Sequence, residues 1–277
     1  MNENEQILTS ILNCPRVDLF AKPSTLTLSQ QDQYETIKQR HLKGEPLQYL
    51  LGYCEFMGLS LRVDPRVLIP RPETELLVEY AIKKFKGESS LNILDVGTGS
   101  GNIAIAFAKF MDCSVMAMDI SKDALALAFE NAKENSVQEK IQFHHDNMTN
   151  FFYDKNYWNR FDVIISNPPY VRSQDIENLP KDVQKEPRLA LDGGEDGLEC
   201  YRVLVSCAHR FLKEDGYLFL EIGDDQRRGI EQILETSPYY EDIEFIQDYN
   251  GRDRIVSLKT IIPSPKRSEW GGTKGGG

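Results

Sequence analysis

Apolar residues follow two rhythms along the chain. In the N-terminal stretch they recur at helical intervals: Ile7, Leu8, Ile11 and Leu12 share one helix face. A second helix is expected over QQDQYETIKQRHLKG, with Ser29 as its N-cap and Gly44 as its stop. Between residues 48 and 69, short apolar runs broken by Gly52, Gly58 and Pro65 predict a β-hairpin or an extended connector. The proline- and acid-rich loop IPRPETE (69–75) comes next, then a helix expected to turn Leu76, Leu77, Tyr80 and Ala81 inward.

From Leu91 onward, strand and helix patterns alternate: LNILDV, NIAIAFAKF, SVMAMD, KDALALAFENAKEN, IQFHH. That alternation predicts βαβ units, and with them a parallel sheet with right-handed crossovers. Further strands are expected at 161–166 and 217–222, helices at 198–212 and 225–235, and two closing strands at 243–247 and 254–258. The expected division is a helical N-terminal domain over 1–47, a hairpin linker and connecting helix over 48–84, an α/β domain over 85–262, and a glycine-rich disordered tail over 263–277.

Composition narrows the classes. With 40% hydrophobic and 27% charged residues, the 277-residue chain can bury a large core, which excludes disorder throughout. No apolar run approaches the roughly 18 residues of a membrane span. The opening MNENEQILTS has neither part of a signal peptide, so a cytoplasmic protein without a membrane partner is expected. A net charge of -11 and the lack of long Lys/Arg runs disfavour sequence-independent binding to nucleic acid. The five cysteines form no CxxC pair and the four histidines no ligand spacing, so reduced thiols and no metal are expected.

Two motifs carry chemistry. In DVGTGSG (95–101), Gly97, Gly99 and Gly101 let the backbone turn tightly and approach a ligand that a Cβ would exclude. Asn102 stands where a dinucleotide fingerprint has Gly or Ala, so the loop better resembles the S-adenosylmethionine loop of Rossmann-like methyltransferases. Asp119, ending the next strand, suits the two hydroxyls of a ribose. The second motif is NPPY (167–170) after the apolar VIIS. The Asn167 side-chain oxygen and the Pro168 carbonyl can accept two N–H bonds from a planar amide or exocyclic amine. Pro168 and Pro169 stiffen the backbone that aims them, and Tyr170 offers a flat ring.

With EPLQYLLG (45–52), VLIPRPETE (67–75), GEDGLECYR (194–202), EIG (221–223) and GRDRIV (251–256), these motifs make the chain resemble the glutamine methyltransferases of peptide-chain release factors, over residues 42–258. The resemblance implies an α/β, Rossmann-like, S-adenosylmethionine-dependent methyltransferase domain behind a small helical substrate-recognition domain. It implies methylation of the glutamine side-chain amide in a release factor's Gly-Gly-Gln loop, by a monomer that engages no nucleic acid directly. By it, Gly97, Thr98, Gly99, Ser100, Gly101, Asp119, Asn147 and Asn167 contact the cofactor, with Asn147 beside the adenine. Asn167, Pro168, Pro169 and Tyr170 hold the acceptor, and the 69–75 loop covers the cofactor. NPPY is shared with adenine-N6 methyltransferases, so an enzyme acting on a flipped base amine is the alternative. A cofactor-binding interaction module without catalysis is a second. On composition alone, Arg71, Glu73 and Glu75 read as a turn and helix start, and DGGED (192–196) as a flexible acidic turn. Glu221 reads either as a salt-bridge partner or as a support behind the site.

Overall fold

The computed structural model describes residues 2–21 and 25–261; the tail expected over 263–277 lies outside them. At the N-terminus α1 (Glu3–Leu12), α2 (Asp18–Ala21), α3 (Leu28–Leu42) and α4 (Leu47–Leu51) pack around Ile7 and Leu47. The cap of α3 is Thr27, not Ser29. Thr27 and Gln30 form a reciprocal capping box, Thr27 Oγ1 accepting from Gln30 N at 3.2 Å and Gln30 Oε1 from Thr27 N at 3.0 Å. Ser29 therefore falls inside the first turn. The connector also begins as helix rather than strand, since α4 runs to Leu51 before Gly52 ends it at φ 82°.

The hairpin follows as β1 (Tyr53–Phe56) and β2 (Leu59–Arg62), turned by Met57 and Gly58, both at positive φ. In α5 (Pro72–Lys84) the buried stripe is Thr74, Leu77, Val78 and Ala81. Leu76 and Tyr80, expected inward, are half-buried at its margin, because the stripe keeps i, i+3, i+4, i+7 spacing from Thr74.

The α/β part then runs β3 (Leu91–Val96), α6 (Asn102–Phe110), β4 (Cys113–Asp119), α7 (Lys122–Glu134), β5 (Ile141–His145), α8 (Met148–Phe151), β6 (Phe161–Ser166), α9 (Arg188–Leu191), α10 (Glu199–Cys207), β7 (Leu212–Glu221), α11 (Arg227–Glu235), β8 (Tyr240–Gln247) and β9 (Asp253–Thr260). The seven strands lie in the order β5-β4-β3-β6-β7-β9-β8. The first five are parallel, as the alternation requires, but β9 pairs antiparallel with both β7 and β8. The sheet is therefore mixed. Only a short turn closed by Asp248 joins β8 to β9, and parallel neighbours need a crossover of a dozen residues or so. Strand β7 starts at Leu212, inside the segment expected as helix, and kinks at Asp215, where the register against β6 shifts.

Alternation along the strands sends side chains into two cores. Ile93, Val115, Val163, Ile165, Phe219 and Ile255 pack with α5, α6, α7 and the hairpin. Their neighbours Leu94, Met116, Ile164, Leu218 and Val256 pack on the opposite face with α10 and α11. Because the chain leaves β3 outward to β4 and β5 and returns to β6 on its other side, the carboxyl ends of β3 and β6 flank a crevice. The loop 95–101 follows the first of these strands and NPPY the second.

Candidate active site

Gly97, Gly99 and Gly101 all take positive φ, at 75°, 53° and 83°, so the glycine loop uses a backbone that L side chains rarely adopt. It is pinned from below by Asp95, whose Oδ2 accepts from Thr98 Oγ1 at 2.6 Å and from Ala104 N at 3.2 Å. Complete burial pushes the Asp95 carboxyl up to about 7. Asn131, buried in α7, donates to the Ser100 carbonyl at 2.9 Å and pairs with the backbone of Arg62, tying the hairpin to the loop.

On the outer side, Gly99 N donates to Asp119 Oδ2 at 2.9 Å and Ser121 N to Oδ1 at 2.8 Å. These bonds hold the Asp119 carboxylate at the wall of a cavity of about 420 Å³, where burial raises its pKa. Gly97, Gly99 and Asn147 line the same cavity, together with Asp146. Asn147 caps α8, its Oδ1 accepting from Thr149 N at 2.8 Å. Thr98 and Ser100 are buried and do not line the cavity, and Gly101 packs between α6 and α7, where a Cβ would meet Ile105 and Ala128 at 3.1 Å.

Asn167 and Pro169 line the cavity from the β6 side; Pro168 and Tyr170 do not. The Tyr170 hydroxyl donates to Glu221 Oε1 at 3.4 Å. Burial keeps this phenol protonated by raising its pKa. Behind the tetrad, Gln226 donates to the carbonyls of Tyr170 at 3.0 Å and Gly197 at 2.9 Å, while accepting from Gly223 N at 2.9 Å. The 192–196 segment is not the flexible acidic turn that its composition suggested. Gly193 N donates to the Val171 carbonyl at 2.8 Å, and a Cβ on Gly193 would stand 2.7 Å from Tyr170 Cα. Two of its three acids are paired: Asp192 accepts from Ser173 and Arg188, Asp196 from Arg202.

Asn167 Nδ2 donates to Thr74 Oγ1 at 3.0 Å, and Thr74 Oγ1 donates to Glu221 Oε2 at 2.6 Å. Glu221 is thus the support of its two expected roles; among the described residues no ion pair engages it. Burial pushes its carboxyl up to about 7. The residues expected as a plain turn are also tied in. Arg71 pairs with the buried Glu186, which accepts from Ile69 N at 3.0 Å, and Glu75 accepts from Met57 N at 2.8 Å. Arg66, Val67 and Leu68, just upstream, line the cavity together with Pro187 and Leu189. Thr74, Asn131 and Gln226 were missed from the sequence. The available signal was a polar residue in register with a buried apolar stripe, as Thr74 is with Leu77, Val78 and Ala81. Among the described residues, no group of three His, Cys, Asp or Glu could hold a metal, and no helix is long and apolar enough to cross a membrane.

Comparison with known proteins agrees with this geometry. Residues 87–267 match the methyltransferase domain family, and residues 2–52 the PrmC N-terminal domain. A release factor glutamine methyltransferase of Thermodesulfovibrio yellowstonii is 36% identical, covering 94% of this chain and 92% of its own length. One of Moorella thermoacetica is 40% identical, covering 78% and 75%. Among solved structures, the ribosomal protein L11 methylase of Lactobacillus delbrueckii subsp. bulgaricus has a TM-score of 0.53 at 25% identity over 73% of this chain and 86% of that one. A methyltransferase of Pyrococcus furiosus shares the fold, with a TM-score of 0.53 at 18% identity over 82% and 100%.

Proposed function

This chain belongs to the release factor glutamine methyltransferases, and from that we propose that it methylates the side-chain amide nitrogen of the glutamine in a release factor's Gly-Gly-Gln loop, using S-adenosylmethionine. One observation carries the reading. The glycine loop, Asp119 and Asn167 meet on a single cavity at the crevice between β3 and β6, and among the described residues the Asn167 side-chain oxygen has no partner.

When bound, S-adenosylmethionine supplies an electrophilic methyl on a sulfonium. Asp119, held by two backbone N–H groups, retains lone pairs for a ribose diol, and the glycines leave room that any Cβ would take. An amide nitrogen is a weak nucleophile because resonance delocalises its lone pair. The chain's contribution is therefore positioning and complementary charge. Asn167 Oδ1 accepts one N–H bond of the glutamine amide at the cavity; the Pro168 carbonyl, next along the tetrad but outside the cavity lining, is the motif's second acceptor. Gln226 and the 192–197 segment hold that backbone rigid.

The N-terminal helices and the turn before α2 supply further surface for the release factor, with Val17, Phe20, Leu28 and Leu42 exposed on them. The same reading makes the enzyme a cytoplasmic monomer that engages no nucleic acid directly. A methyl-label assay offering release factor, its loop Gln→Ala variant, DNA and RNA in parallel tests it. Label on the intact factor alone supports the proposal. Label on DNA or RNA with none on protein contradicts it.

A further inference from the structure

Asn167 has two amide atoms of nearly equal size, and only one of them accepts a hydrogen bond. A glutamine amide presents N–H donors, so the site works only with Asn167 Oδ1 toward the cavity; reversed, it would set donor against donor. The orientation is decided outside the cavity. We propose that Thr74 and Glu221 are positioning residues that set the polarity of Asn167, an inference that rests on the glutamine reading above. Glu221, fully buried at the end of β7, accepts from Thr74 at 2.6 Å. Ionised, the Glu221 carboxylate only accepts, so above the pKa of about 7 to which burial raises it the Thr74 hydroxyl spends its single proton on Glu221 and has only lone pairs left for Asn167. Asn167 must then offer Nδ2, as it does at 3.0 Å, and Oδ1 is left for substrate. Tyr170 steadies the other carboxylate oxygen at 3.4 Å. The relay joins α5, β6 and β7, so it is built into the core, and neither Thr74 nor Glu221 lines the cavity.

Thr74→Val keeps the shape and removes the relay. The Asn167 amide then has an N–H without an acceptor, and nothing holds Oδ1 toward the cavity. The expected result is a kcat about tenfold lower, with KM for release factor and affinity for S-adenosylmethionine within about twofold of wild type. Thr74→Ser, which restores the hydroxyl, should recover kcat to within about twofold. Glu221→Met, which leaves Thr74 free to donate to Asn167, should lower kcat as Thr74→Val does. Adding Thr74→Val to Asn167→Ala should change nothing further, because the relay acts through Asn167. Wild-type kcat in Thr74→Val, a loss in Thr74→Ser equal to that in Thr74→Val, or a further tenfold loss in the Asn167→Ala background would each overturn the relay. Wild-type enzyme that fails to label the loop glutamine would instead remove the reading beneath it.

Discussion

At Asn167 a single oxygen atom separates binding from chemistry. Asn167→Ala should leave S-adenosylmethionine affinity nearly intact while lowering methyl transfer by about 10² or more, read as turnover at saturating substrate. Asp119→Ala should do the opposite, weakening the cofactor by roughly 10- to 100-fold in calorimetry through loss of charge-assisted hydrogen bonds. Asp95 reports on pH. Its carboxyl is pushed from 3.8 to about 7 in the folded protein by burial, so its contribution to stability is fully present below the unfolded value and is lost as pH rises through about 7. Asp95→Asn lacks this titration. Whatever constant offset the substitution brings, wild type should lose stability relative to it between pH 4 and 7, on the order of a few kcal/mol, in denaturant titrations. A flat difference would show that Asp95 stays ionised. Asn167 and Asp119 were legible because each sits in a local motif. Glu221 was read as either of two roles, but its bond to Thr74 was not legible, since a hydrogen bond between residues 147 positions apart leaves no local trace.

Among the elements, the strands and helices of the parallel half came through nearly residue for residue: β3, α6, β5 and β6 match their expected bounds. Hydrophobic periodicity decides such buried elements. It failed where local chemistry or pairing decided instead, as at the Thr27 capping box and the antiparallel β9. The 192–197 segment shows the same limit, for its acids suggested solvent while Gly193 and Gly197 were dictated by the backbone of Tyr170. Gly197 is the sharpest case, at φ 76° with a Cβ position 2.5 Å from the Tyr170 carbonyl oxygen. Gly197→Ala should therefore lower stability by about 1–3 kcal/mol and shift the tetrad. In folded variant, turnover should fall well beyond any change in cofactor affinity; unchanged turnover would mean that this segment does not hold NPPY in place.

The whole molecule joins a methyltransferase fold to a helical N-terminal domain, and the glutamine loop of a release factor is small and uncharged. Recognition then has to draw on surface away from the reacting amide. A short Gly-Gly-Gln peptide should be a poor substrate beside the intact factor, with the difference mainly in kcat/KM. The most direct test of the account is tandem mass spectrometry of a release factor after incubation with S-adenosylmethionine and the enzyme. One methyl group on the side-chain nitrogen of the loop glutamine, lost with Asn167→Ala enzyme, is the predicted result. A methyl group on any other residue, or undiminished methylation of the loop glutamine by Asn167→Ala, would contradict it.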